Sequence, residues 1–380
     1  MKICLINNLY QPYQRGGAEV VAENQVNDFI SQGHDVFVIT TQPLFKKINP
    51  ATSLKYKVYR FYPWNIFSFY YLNRFSVFFR AIWRLLDIFN LHSYFKIKKI
   101  LTAQKPDIIY THNLTGIGYL IPKLIKKLKI KNIQVMHDVT LVRPSGLLIY
   151  GQEKENILIK IYSRFIRYLF NSPDQVVFPS NWLKNYYTSR DFFPSSERQV
   201  IRNFDFKIEN LLLNKKIKNK EINFLFAGQI EEHKGILFLI KTFYKLSPYG
   251  GSPLISQENS KQKIGGQTTN YKLHIIGTGS KFAQAKKLAA NNPNIIFHGY
   301  QPAAEFLAQA DHIIVPSLCY ENSPTVIFES LSAGVPVIAS NLGGISELIQ
   351  NKINGYLFRP DRGQELVFII KNIYERSKNI

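Results

Sequence analysis

Cysteine is almost missing from this chain, with Cys4 and Cys319 the two present among 380 residues. No His/Cys cluster with zinc-ligand spacing accompanies them, so a structural zinc site and a disulfide framework are excluded and two buried apolar thiols are expected. No metal site of any kind is anticipated, and no Asp-x-Asp triplet occurs. Acid is scarce too, at 26 Asp and Glu against 48 Lys and Arg. No uncharged apolar run approaches the roughly 18 residues a membrane-spanning helix needs. The opening Met-Lys-Ile-Cys-Leu-Ile-Asn-Asn is too short an apolar stretch for a signal peptide. A chain that is cytoplasmic, or peripheral at the inner face of a membrane, is expected.

What is present is apolar and aromatic: 46% hydrophobic residues, 28 Phe and 22 Tyr. That excludes disorder over most of the length. The chain is also longer than one core usually supports, so two domains are expected. The net charge of +22 is uneven. Residues 1–205 hold 28 Lys/Arg against 13 Asp/Glu, and residues 206–380 hold 20 against 13, giving +15 and +7. Such an excess favours an anionic partner without choosing among phospholipid, nucleic acid and phosphorylated substrate.

Short apolar runs alternate with amphipathic stretches of helical length, twice over, which is the pattern of doubly wound α/β domains. In the first half the strand candidates are Lys2 to Asn7, Asp35 to Thr41, Tyr56 to Tyr62, Asp107 to His112, Asn132 to His137, Gln175 to Pro179 and Gln199 to Arg202. In the second they are Ile222 to Ala227, Lys272 to Ile276, Ile295 to His298, His312 to Pro316, Val335 to Ala339 and Gly355 to Phe358. The polar stretch Asp205 to Lys220 reads as the linker. Domains of 1–205 and 206–361 follow, with a terminal helix at 362–380. The Gly/Ser/Gln/Asn-rich stretch 247–270 reads as a mobile surface insertion.

Three loops could carry chemistry. Arg15-Gly16-Gly17-Ala18-Glu19 follows the first strand and opens a helix, where glycines let a phosphate approach free N–H groups; a plain tight turn is the alternative. Gly228-Gln229-Ile230-Glu231-Glu232-His233-Lys234-Gly235 sits likewise after a strand, with a lysine suited to a diphosphate or simply solvated. The third is Glu321-Asn322-Ser323-Pro324-Thr325-Val326-Ile327-Phe328-Glu329. Its Ser-Pro step should start a helix, leaving Glu321 in the loop and Glu329 inside the helix. Free N–H groups there, with the Ser323 and Thr325 hydroxyls, could meet an anion.

The Glu-x7-Glu block, its Ala333-Gly334-Val335-Pro336-Val337-Ile338 continuation and Gly343-Gly344-Ile345-Ser346-Glu347 resemble the signature of the large retaining family of GT-B glycosyltransferases called group 1. Other pieces fall in the same order: Gly16 to Glu19, His137-Asp138, Phe178-Pro179-Ser180-Asn181-Trp182, Arg202-Asn203 and Gly228 to Gly235. The likeness omits 46–101 and 247–270. It implies two Rossmann-like domains facing across a cleft, the donor mainly on the second and the acceptor on the first, with the terminal helix returning to the first. It also implies transfer of a hexose-type sugar from a nucleoside diphosphate to a glycan or lipid-linked acceptor, without metal or other cofactor. Catalytic roles fall by resemblance to His137, Glu321 and Lys234. Donor binding falls to Gly16, Gly17, Gln229, Lys234, Asn322, Ser323, Thr325 and Glu329, with Glu321 on the sugar hydroxyls and Glu329 on the ribose. Gln229 stands where the family usually has Arg, so one charge-assisted contact to the leaving diphosphate is missing, and Arg143 or Arg202 could compensate.

The aromatic, basic stretch 61–100 allows two readings. Arg80, Arg84 and Asp87 share one helical face and Val77, Phe78, Ile82, Leu85 and Phe89 the other. The apolar face could enter a core, or it could seat on anionic lipid. Rival functions are a basic nucleic-acid- or membrane-binding protein without catalysis, a sucrose- or trehalose-type synthase, and a sugar-nucleotide epimerase. No nucleic-acid motif supports the first.

Overall fold

The computed structural model describes residues 1–13, 16–44, 54–202, 221–246 and 271–378. The expected linker, the expected insertion at 247–270, Arg15 and Asn203 lie outside the described residues. The chain divides into two compact units, Met1–Gly146 with Lys154–Asn203 and Leu147–Glu153 with Phe204–Ile380.

The first unit runs β1 (Lys2–Ile6), α1 (Gly17–Ser31), β2 (Asp35–Thr41), β3 (Lys57–Phe61), α2 (Val77–Ile88), α3 (Leu91–Gln104), β4 (Ile108–Thr111), α4 (Ile121–Lys127), β5 (Lys131–Val135), α5 (Ile157–Phe170), β6 (Gln175–Phe178), α6 (Asn181–Thr188) and β7 (Glu197–Val200). Its strands form one sheet in the order β3-β2-β1-β4-β5-β6-β7. Every pairing in it is parallel. Parallel strands covered on both faces need uninterrupted apolar runs. Ile3, Cys4, Leu5 and Ile6 are accordingly all buried. β7 begins two residues before the expected run.

The second unit runs β8 (Ile222–Ala227), α7 (Ile236–Leu246), β9 (Tyr271–Ile276), α8 (Phe282–Ala289), β10 (Ile295–Gly299), α9 (Ala303–Leu307), β11 (His312–Val315), α10 (Thr325–Ser332), β12 (Val337–Ser340), β13 (Gly355–Phe358) and α11 (Gly363–Lys378). The sheet order is β10-β9-β8-β11-β12-β13, again all parallel. Side chains alternate across β8. Phe224 and Phe226 enter the core beneath α7 and α11, while Leu225 joins Ile327 and Leu331 of α10 on the other face.

The terminal helix expected at 362–380 is α11, and its Leu366, Ile370 and Ile373 are buried in the core of the second unit. Its apolar stripe finds the matching surface of α7 there. The segment Leu147–Glu153, read from sequence as part of the first domain, also belongs to the second unit. It pairs with the backbone of 318–320, where Tyr150 N–H donates to Leu318 O and Tyr320 N–H to Leu148 O, both at 2.9 Å.

α2 resolves the ambiguity of its two faces. Trp83, Asp87 and Ile88 point inward and are buried, whereas Val77, Phe78, Leu85 and Phe89 are exposed. The core-facing reading of its apolar stripe is therefore overturned. The inward polar side chains are what pin it. Arg84 donates to Thr115 Oγ1 at 3.1 Å, to Tyr119 Oη at 3.3 Å and to Pro144 O. Asp87 accepts from Gly116 N–H with both oxygens, at 3.0 and 2.9 Å.

Candidate functional site

In an open parallel sheet the loops diverge where the strand order reverses, leaving a crevice at the carboxyl ends of the strands. In the second unit that point lies between β8 and β11, the strands that precede the Lys234 and Glu321 loops. After β8 the chain makes a short 3-10 turn, Glu232–Lys234, and bends back at Gly235 with φ +76°. A Cβ at Gly235 would lie 1.8 Å from Pro316 O, so only glycine lets this loop pack against the end of β11. Leu318 N–H donates to His233 O at 2.8 Å and ties the two loops together.

That closeness brings Lys234 Nζ to 2.7 Å from Glu321 Oε2, as a hydrogen-bonded ion pair. Ser317 Oγ donates to the other carboxylate oxygen. The pair is little exposed, at 27% and 14% for the two side chains. Burial alone pulls the lysine down, but Glu321 outweighs it and holds the ammonium above its ordinary value. Burial pushes the Glu321 carboxyl up, yet Lys234, Ser317 and His233 bring it below the usual carboxylate range. The site is therefore zwitterionic at neutral pH.

The backbone of the Glu321 loop is fixed as well. Gly344 N–H donates to Glu321 O at 2.8 Å, and a Cβ on Gly343 would stand 2.5 Å from that same oxygen. α10 then opens at Thr325 behind Pro324, with no side chain capping its first turn. Ile327 N–H turns back to Pro324 O at 3.1 Å, and the N–H groups before it are those a helix start leaves without an intrahelical partner. Asn322 is buried at this mouth. The buried Ser323 hydroxyl finds no hydrogen-bond partner in the described structure, an uncommon state for a shielded polar group. Glu329 lies exposed on α10, with its carboxyl raised by partial desolvation. Gln229 is exposed in the loop after β8. The structure thus brings Lys234 and Glu321 into contact, sets Asn322, Ser323 and Thr325 at one helix mouth, and leaves Gln229 and Glu329 at the surface.

In the first unit the order reverses between β1 and β4. Asn8 Nδ2 donates to Thr115 O at 2.9 Å and Asn113 N–H to Asn7 Oδ1 at 3.2 Å, so paired asparagines stitch the two loops. His137, just past β5, stacks on His112, just past β4, with ring centroids 5.1 Å apart. His137 Nε2 lies 2.9 Å from His112 Nδ1, and His112 Nε2 lies 2.8 Å from Gln25 Oε1. Burial lowers both rings, His137 to about 4 and His112 well below its ordinary value, so both are neutral at pH 7. With the Gln25 amide oxygen accepting, His112 carries its proton on Nε2 and accepts on Nδ1. His137 then donates from Nε2 and keeps its lone pair on Nδ1. His137, Asp138, Thr115 and Tyr119 also line a cavity of about 20 Å³, the size of a single water site.

At the start of α1 the Gly16 N–H donates to Glu19 Oε2 at 2.8 Å. One of the donors expected for phosphate is thereby already engaged. Sequence reasoning missed Gln25, His112 and Ser317. The signal for His112 was available, since the runs ending at His112 and His137 are neighbouring parallel strands. Gln25 and Ser317 carried none. Among the described residues no group of three or more His, Cys, Asp or Glu gathers as metal ligands would.

Known families and solved structures resemble the chain over both units. Residues 15–204 match the family model described as Glycosyltransferase Family 4, and residues 221–376 match Glycosyl transferases group 1. An uncharacterized 42.6 kDa protein in the cps region of Klebsiella pneumoniae is 28% identical over 352 residues, 92% of this chain and 87% of that protein. The lipopolysaccharide 1,2-N-acetylglucosaminetransferase of Salmonella typhimurium is 25% identical over 238 residues, 59% of this chain and 60% of its own. The structure of Anabaena HepE in complex with UDP-glucose superposes with a TM-score of 0.65 at 16% identity, covering 100% of this chain and 91% of that one. At that identity the match speaks for the fold alone, which is GT-B. With both halves matched in order over two Rossmann-like units, the chain belongs to the group 1 glycosyltransferases.

Proposed function

We propose that the protein is a retaining, metal-independent hexosyltransferase. It takes its sugar from a nucleoside diphosphate and passes it to a glycan or lipid-linked acceptor in cell-surface polysaccharide or lipopolysaccharide synthesis. It would work peripherally at an anionic membrane surface. One observation carries the reading: a desolvated Lys234–Glu321 pair sits at the β8/β11 reversal beside an uncapped helix start.

Breaking the anomeric C–O bond leaves its electron pair on the β-phosphate oxygen. Lys234 and the α10 N–H groups meet that charge as it grows, so no metal is required. Glu321 accepts from the sugar hydroxyls and holds Lys234 in line, and Glu329 takes the ribose hydroxyls. Gly17 is a further phosphate contact, and Gly16 becomes one when its N–H exchanges Glu19 Oε2 for a phosphate oxygen. His137, neutral and in a fixed tautomer, serves the transferred sugar. The acceptor oxygen attacks the same face, its proton passing to the departing phosphate. Gln229 supplies a neutral hydrogen bond where the family pattern has a cation, which lowers the expected affinity for diphosphate. The surface-polysaccharide setting draws on the named relatives.

The test is a thermal-shift screen of UDP-, GDP- and ADP-sugars against the wild type and Glu329→Ala. At least one donor should stabilise the wild type and lose most of that effect in the variant. No shift with any donor would overturn the reading. Once a donor is known, the anomeric configuration of the product, read by NMR, tests retention.

A further inference from the structure

α2 turns Arg84 and Asp87 inward beside Trp83 and Ile88, and its main apolar stripe outward. Val77, Phe78 and Leu85 are 72%, 69% and 62% exposed, while Asp87, on the opposite side, is fully buried. The hydrogen bonds of Arg84 and Asp87 to the Thr115–Tyr119 loop hold it that way round. α5 buries an ordinary apolar side through Ile166 and Leu169 but leaves a second set of apolar side chains, Ile157, Leu158 and Ile161, exposed. The two helices touch through Phe89 and Phe165, ring centroids 5.7 Å apart. A surface helix normally turns its apolar stripe to the core, and contiguous apolar patches on a free protein mark a binding surface.

The charges identify the occupant. Among the residues of α2 and α5 the single acid is the buried Asp87, whereas Lys160 and Arg164 of α5, and Arg74 just before α2, are exposed. Lys123 of α4 lies 4.0 Å over the ring of Tyr168 and extends the cationic rim. A second copy docked by a two-fold axis would bring this rim against its own like charges. An apolar face edged with Lys and Arg, with aromatics at the margin, matches the headgroup boundary of an anionic bilayer. Among the described residues no helix is long and apolar enough to cross one.

We propose that the outer face of α2 and α5 seats this chain on an anionic bilayer, with Phe78, Leu85 and Ile161 entering the acyl boundary and Arg74, Lys160 and Arg164 on the lipid phosphates. The assignment deepens the membrane-peripheral part of the proposed function and rests on it. Its test needs neither donor nor turnover, so the two can fail separately.

The full chain is floated with vesicles of phosphatidylcholine alone and of phosphatidylcholine mixed with phosphatidylglycerol. Wild type should float with the anionic vesicles and much less with the neutral ones. Lys160→Gln with Arg164→Gln should lower the partition coefficient roughly fivefold per residue, about twenty-five-fold together. Phe78→Ser with Ile161→Ser should abolish flotation. All four positions are exposed, and unchanged melting and circular dichroism spectra would show the variants folded. Flotation with neither vesicle overturns the proposal, as does wild-type flotation of the double variants. A dimer seen by light scattering without vesicles, and dissolved by Phe78→Ser with Ile161→Ser, would reassign the face to a second copy and overturn it equally.

Discussion

The buried carboxyl of Asp87 should give this protein an unusual dependence of stability on pH. Burial raises it from 3.8 to about 7, against the opposing pull of Arg84 and the Gly116 N–H. Between those values the folded chain holds a proton that the unfolded chain has released. The contribution is complete below the unfolded value of 3.8 and is lost as pH rises through the folded value of about 7. At 1.36 kcal/mol per pH unit the loss is at most roughly 4 kcal/mol. For a unit of this size that corresponds to roughly 10 °C in Tm. Asp87→Asn keeps the shape and one acceptor for Gly116 but cannot ionise. Melting followed by circular dichroism at constant ionic strength should show the variant close to wild type on the acid side of the window and clearly higher on the alkaline side. Parallel curves for the two proteins would refute the burial argument and imply that Arg84 keeps Asp87 charged throughout.

Lys234→Met strands Glu321 without its cation and should cost about 3 kcal/mol in denaturant unfolding, while removing the donor-induced thermal shift. Adding Glu321→Gln should return most of the stability but none of the donor shift, which separates the structural from the binding role. Because the Glu321 carboxyl is held below its ordinary value, the pair's contribution is present above pH 4.5 and fades on acidification. Gly235→Ala places a methyl against Pro316 O and should destabilise by about 2 kcal/mol or more, measured the same way. His112→Leu removes the acceptor that sets the His137 tautomer. Turnover of the donor should fall with its KM little changed, and the pH profile should shift, whereas a purely structural role would lower Tm alone.

The sheets were legible because parallel strands covered on both faces leave continuous apolar runs. Among the described residues each strand falls on or overlaps a run visible in the sequence, such as Ile222 to Ala227, which β8 matches end to end. The Glu321 loop was legible through the Ser-Pro step that starts α10. The orientation of α2 was not. An amphipathic pattern says that a helix has two faces, and here the inward one is chosen by Thr115, Gly116 and Pro144, whose contacts lie 29 to 60 residues downstream of their partners. The allegiance of Leu147–Glu153 was hidden for a similar reason. Its pairing with Leu318 and Tyr320 runs through backbone groups, which every residue type supplies. The Gln25 contact to His112 spans 87 positions and follows no local pattern.

The pairing of Lys234 with Glu321 sets the terms on which the site accepts company. A lysine facing solvent alone would draw any passing phosphate, but one already neutralised by an adjacent carboxylate offers a stray anion little net attraction. A molecule presenting hydroxyls to the acid and an anionic oxygen to the ammonium at once satisfies both partners without leaving either exposed. The pair as it stands thus offers a lone anion little and suits a molecule that carries both kinds of group.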